Sequence, residues 1–193
     1  MARPTDETKL QAIKKAAMQI VVEQGLSGAS ISQIAKKAGV SDGYLYRFYA
    51  GKRELLESLF RERFQVTYEI LRLQMASHNT VTELVQSFIH KVYVSAVEAP
   101  ETIGFYHKML SDFSFEIPEI NRVEIVELCD EILQMGKQNG EIAPTVTAEQ
   151  FFAIVIGGTL QFINIRLRTI FSSKSFTSED VELNIEFILK TLQ

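Results

Sequence analysis

The stretch "ASISQIAKKAGVSDGYLYRFYAGKREL", Ala29 to Leu55, decides how the whole chain is read. Ile31, Ile34, Ala35 and Ala38 recur every three or four residues, the period of one helix face. Ser30 precedes them as an N-cap, with Gln33 three places on, the spacing of a capping box. Gly39 stops that helix. Only "GVS" separates it from a second helix, for which Ser41 is the cap. Two short helices about a tight glycine turn make a helix-turn-helix. Tyr44, Tyr46 and Phe48 alternate as in a strand, yet Leu45 and Tyr49 stand four apart and share a helical face. Gly51 ends this second helix, and helical spacing resumes at Lys52.

The same period runs through nearly all the remaining sequence. Leu10, Ile13, Ala17 and Ile20 mark a first helix, with Thr5, Asp6 and Glu7 at its start and Gly25 at its end. A long helix runs from Lys52 to about Met75. Capping boxes at Thr80/Glu83 and Thr147/Gln150 open two more. Shorter patterns cover Ile103–Phe113 and the residues from Pro118 to near Gly140, and a last helix spans Glu179–Leu192. The expected fold is all-α, with about nine helices. The expected domains are a helix-turn-helix head over 1–51, its motif at about 30–49, and a larger helical body over 52–193.

Charge divides along the same line. Between Met1 and Leu56 nine basic residues face five acidic ones; the remainder has eleven against nineteen. A basic head on an acidic body suits a polyanionic partner for the head. The single cysteine, Cys129, excludes an internal disulfide framework and fits a reducing, cytoplasmic setting. "MARPTDETKL" has no apolar run of the kind a secretory signal needs. The most apolar segment, Phe151–Ile165, is shorter than the roughly 20 residues of a bilayer span and contains Gln161 and Asn164. A buried or interface helix is expected there, and no membrane.

"ASISQIAKKAGVSDGYLYRFYAGKRELLESLF" resembles the helix-turn-helix signature of the TetR/AcrR family of one-component transcriptional regulators. The resemblance covers roughly Thr8 to Phe60 and includes Gly25, Ile31, Ile34, Ala35, Ala38, Gly39, Val40, Ser41, Gly43, Leu45, Tyr46, Lys52 and Leu55. It implies a homodimer whose N-terminal helices enter the DNA major groove and whose larger domain holds a ligand pocket and the dimer interface. It also implies that ligand binding changes the spacing of the two heads and releases a pseudo-palindromic operator in double-stranded DNA.

A recognition helix must lock one face into the head and present the other to the groove. Leu45 and Tyr49 are the expected inner face. Tyr44 and Arg47 are the expected outer face, with Gly43 allowing close approach. Arg47 suits guanine O6 and N7 or a phosphate. Tyr44 suits a thymine methyl or a backbone oxygen. Tyr46 and Lys52 match family positions that contact phosphate, and Lys52 also begins a helix whose dipole favours an anion. Ser30 and Ser41 can donate from their helix N-termini. Two positions depart from the family pattern. Phe48 stands where His or Tyr is common, so an expected donor is missing. Asp42 stands where a neutral or basic residue is common. It would repel phosphate, and it can serve its own helix N-terminus or accept from a cytosine amine.

The body carries no catalytic or metal signature: His78, His90 and His107 are scattered, and no cofactor is expected. Its aromatic and sulfur-bearing side chains read first as core. A pocket for a small apolar or aromatic effector, carried by the resemblance, would be lined by Phe64, Tyr68, Phe88, Tyr93, Tyr106, His107, Met109, Phe113, Gln161 and Asn164. The helix over Thr147–Phe171 is apolar on nearly every side. With the last helix it is expected to form the dimer interface through Phe152, Ile156, Thr159, Ile163, Ile185 and Ile188. Two other readings compete: a DNA-binding regulator controlled by a protein partner, and a helical enzyme with a borrowed head. The second lacks any acid–base or metal constellation.

Overall fold

In a computed structural model the structure describes residues 6–171 and 175–193. Nine helices make up the fold among the described residues: α1 (Glu7–Gly28), α2 (Ile31–Ala38), α3 (Asp42–Leu45), α4 (Lys52–Ser77), α5 (Val81–Glu98), α6 (Pro100–Ser111), α7 (Glu119–Gln138), α8 (Ala148–Leu167) and α9 (Ser178–Leu192). No strand is present among those residues. The all-α expectation therefore holds.

The chain forms two compact units. One holds the residues up to Arg63 together with Gly104–Ile117; the other holds Phe64–Ile103 and Pro118–Gln193. The core of the first is Ile13, Ala17, Ile20, Val21, Ile34, Ala35, Leu45, Leu55, Leu59 and Phe60, all at most 3% exposed. The return of the chain at Gly104 completes it. Phe105 and Met109 are fully buried, and the Phe60 ring packs on Tyr106 at 5.7 Å and Phe115 at 5.3 Å between centroids. In the second unit α5 packs against α7, α8 and α9. Leu84, Ile89, Val155, Ile163, Ile185 and Ile188 fill that core.

Helix ends follow the local chemistry, with some differences from expectation. Asp6 caps α1 by accepting from the Lys9 N–H. Thr5, expected to share that role, lies outside the described residues. Gly25 takes φ 75°, a conformation few other residues adopt, and breaks α1 before its last turn to Gly28. Ser30 caps α2 by accepting from Gln33 N at 3.3 Å. The reciprocal half of that box is absent, because Gln33 Oε1 accepts from Ser30 Oγ instead. Thr147 with Gln150 and Thr177 with Asp180 form complete capping boxes. Ser41 makes no side-chain cap bond on α3.

α8 contains a π-helical turn over Ala153–Gly157. By length and hydropathy α8 could cross a bilayer, but its face of Phe151, Val155, Thr159, Leu160 and Ile163 is buried within the second unit. The Thr159 hydroxyl donates to Val155 O at 2.6 Å, so its burial leaves no donor unpaired.

At the start of α5, Thr80 accepts from Glu83 N, and Glu141 accepts from Val81 N at 2.9 Å and Thr82 N at 3.0 Å. Partial burial opposes the charge on Glu141, but these N–H groups outweigh it and hold the carboxyl below its ordinary value. The cap thus stabilises the fold above the ordinary carboxylate range and is lost as pH falls through the lowered value. Glu141→Ala should cost about 1 kcal/mol at neutral pH. Urea unfolding should show that gap narrow as the solution is acidified below the usual glutamate range. A gap independent of pH would refute the cap's ionic character.

Candidate nucleic-acid interface

α2 and α3 are held at a fixed angle by three features. Gly39 adopts the left-handed conformation (φ 70°, ψ 31°), and its N–H reaches back to Ala35 O and Lys36 O. Val40 N follows by donating to Ala35 O at 3.0 Å. Leu45, fully buried, fastens α3 to the head core. The Ser32 hydroxyl on α2 donates to the Asp42 carboxylate at the start of α3. Asp42, one of the two departures from the family pattern, is thus engaged with its neighbouring helix.

α3 proper is only four residues long, and its turns continue through Tyr46 N→Asp42 O at 3.1 Å and Tyr49 N→Leu45 O at 3.0 Å. The helix that the spacing carries to Gly51 thus ends at Leu45, and only hydrogen-bonded turns follow it. Ser41, Asp42, Gly43, Tyr46 and Arg47 are exposed; Tyr46 is 57% accessible. Tyr44 is half-buried, and its hydroxyl is enclosed without a hydrogen-bond partner among the described residues. Phe48 and Tyr49 are half-buried as well, and burial raises the Tyr49 phenol above its ordinary value. A Cβ on Gly43 would meet no atom within 4 Å, so nothing in the protein's own packing requires glycine there.

The head's positive charge is partly neutralised within the head. Lys14 pairs with Glu62 at 2.6 Å, Lys37 with Glu23 at 2.6 Å, and Arg53 with Glu57 at 2.7 Å and Glu116 at 3.4 Å. Lys36, Arg47 and Lys52 pair with no carboxylate among the described residues. The Lys52 ammonium donates to Leu26 O at 2.8 Å, tying the start of α4 to the last turn of α1. That structural role was not legible in the sequence, because Leu26 and Lys52 are far apart in it. A small pocket of about 170 Å³ opens beside this tie, lined by Leu26, Ser27, Lys52, Arg53, Leu56, Ser114, Phe115 and Glu116. It contains none of the residues expected to line an effector site. It is also below the roughly 300 Å³ at which drug-sized ligand pockets begin.

The ten residues expected around an effector are divided between the units. Tyr106, His107, Met109 and Phe113 lie in the first; the others lie in the second. Met109, Phe88 and Tyr93 are core side chains at 1%, 7% and 3% exposure, and burial pushes the Tyr93 phenol up to about 12. Phe64 stacks on Tyr68 at 6.0 Å, and Arg72 lies over the Tyr68 ring. Asn164 is half-buried, whereas Gln161 and Phe113 are exposed. Of the six expected interface residues, Thr159, Ile163, Ile185 and Ile188 are at most 2% exposed within a single chain, so their side chains present no surface to a second copy. Phe152 and Ile156 remain half-exposed. The exposed apolar pair on α9 is Leu183 (58%) and Phe187 (70%), which sequence reading passed over. Their four-residue spacing, off the Val181–Ile185–Ile188–Leu192 stripe, was the available signal. No group of three or more potential metal ligands occurs among the described residues.

Comparison with known proteins fits this geometry. Residues 13–59 match the family model for bacterial regulatory proteins of the tetR family. The fatty acid metabolism regulator protein of Bacillus subtilis (strain 168) is 29% identical over 138 residues, covering 69% of this chain and 71% of that protein. The crystal structure of a TetR family transcription regulator from Marinobacter aquaeolei VT8 superposes with TM-score 0.79 at 23% identity, over 97% of this chain and 96% of that one. FadR from Bacillus subtilis, solved in complex with stearoyl-CoA, superposes with TM-score 0.74 at 22% identity, over 95% of this chain and 97% of that one.

Replacing Lys52 by Met keeps the apolar stem and removes the bond to Leu26. Urea unfolding should show a loss of about 1–2 kcal/mol. An unchanged midpoint would mean that the tie contributes nothing to the head. Residues 13–59 thus carry a helix-turn-helix domain of the tetR type, and along nearly its whole length the chain shares the fold of TetR family structures.

Proposed function

We propose that the chain acts in the cytoplasm as a homodimeric repressor, bound to a near-palindromic operator and released by a small apolar effector. The observation that carries the DNA reading is the exposed face of α3, together with three head cations, Lys36, Arg47 and Lys52, that pair with no carboxylate among the described residues. Cations already paired with carboxylates gain little from a phosphate, whereas unpaired ones release counterions from the duplex. In this reading Arg47 reads base edges, with Tyr44 and Asp42 beside it. Gly43 leaves room for the groove wall. Tyr46, Ser30, Ser41 and Lys52 hold phosphates. Lys52 keeps two ammonium donors beyond the one given to Leu26.

An apolar effector is supported by the aromatic content of the body and by the fatty-acid regulators among the relatives. Stearoyl-CoA, the ligand of the FadR structure, is the natural first probe. Dimerisation is assigned to the surface left exposed around Phe152, Ile156, Leu183 and Phe187.

Selection of the purified chain on duplexes with a random core tests the reading. It should enrich a near-palindrome, because a two-fold dimer reads two half-sites. Affinity should fall steeply with salt, and stearoyl-CoA should lower occupancy. Enrichment of no sequence would overturn the reading. For the interface, Phe187→Glu should give a folded monomer by light scattering, and a persistent dimer would place the contact elsewhere.

A further inference from the structure

Phe48 is the position where the family pattern promises a donor and this chain supplies only a ring. The structure gives that ring a neighbour. The Arg47 guanidinium carbon lies 5.7 Å from the Phe48 centroid and 5.5 Å from the Tyr44 centroid. The two rings are 5.3 Å apart and tilted by 59°. Phe48 is in turn 6.5 Å from Tyr49. Both rings are half-buried, while Arg47 is exposed and meets no carboxylate among the described residues. Asp42, the acid at the start of the same helix, is engaged by Ser32.

We propose that Phe48 is a positioning residue for base reading: with Tyr44 it seats the Arg47 guanidinium, so that the fork is presented to a guanine in the major groove. This rests on the DNA-binding reading above. An unseated arginine on a surface samples many rotamers, and binding must freeze them. A guanidinium lying against aromatic faces is planar, oriented and partly fixed before DNA arrives. A phosphate contact needs little such orientation, because charge alone suffices. Bidentate bonding to guanine O6 and N7 does need it. The ring at position 48 therefore serves specificity, and its lack of a donor costs the seat nothing.

The test uses the full chain and the operator enriched from the random-core pool, with single-base variants of that operator and an unrelated duplex. Arg47→Ala should abolish discrimination at one guanine in each half-site. Phe48→Leu should weaken discrimination at that same guanine by about three- to fivefold, with affinity for the unrelated duplex and the salt slope unchanged. Phe48→Tyr, which keeps the ring, should behave as the parent chain. In an Arg47→Ala background Phe48→Leu should change nothing further at that base pair. Phe48→Met takes the place of Phe48→Leu if the latter loses its helical signal.

Full discrimination in the ring-less variant would overturn the proposal. So would an equal loss of affinity for every duplex, the mark of a phosphate clamp or a damaged head. An operator selected by the parent chain and read identically by Arg47→Ala would sink this proposal while leaving the DNA-binding reading intact. If the parent chain selects no DNA, both fall.

Discussion

Everything proposed for the head depends on the burial of one side chain, Leu45. A four-residue helix has no stability of its own, since nucleation in water is unfavourable at that length. α3 exists because Leu45 is fully enclosed in the head core and because Gly39 turns the chain in a conformation costly for other residues. With those two points fixed, Asp42, Gly43, Tyr46 and Arg47 are carried outward together. The outer face is a consequence of the inner anchor. The Ser32–Asp42 bond then joins α3 to α2, and the Lys52–Leu26 tie joins the start of α4 to the last turn of α1.

The helices were legible because their signals are local. Period, cap and stop residues lie within a few positions of one another, and Ser30, Gly39, Thr147 and Thr177 act as such signals should. Less legible was how each cap is completed. Glu141, sixty residues from Val81, takes N–H groups at the start of α5. The Lys52 ammonium is likewise engaged by a carbonyl twenty-six positions away. Such bonds depend on which chain segments meet, and no local pattern encodes that. The return of Gly104–Ile117 to complete the first unit is another case: its aromatics read as core, but of which unit the sequence does not say.

The second unit shows the limit more sharply. α8 is apolar almost all round, so its period does not distinguish the side that meets its own unit from the side left over. Thr159 and Ile163 proved to be interior, and Phe152 and Ile156 half-exposed. α9 carries two apolar stripes, and the longer one is the interior one. Leu183 and Phe187 form the shorter, and a two-residue stripe is easily passed over. Phe48 followed the same course in the head. Judged against a missing donor it looked like a defect; beside Arg47 and Tyr44 its ring has a partner.

The central claim is that α2, α3 and the first turn of α4 form the surface that meets DNA. Hydrogen–deuterium exchange of the full chain, with and without its selected duplex, addresses it most directly. The account requires slowed amide exchange over residues 31–49 and at the start of α4, with α9 unchanged. Protection confined to the second unit, or none over 31–49, would contradict it.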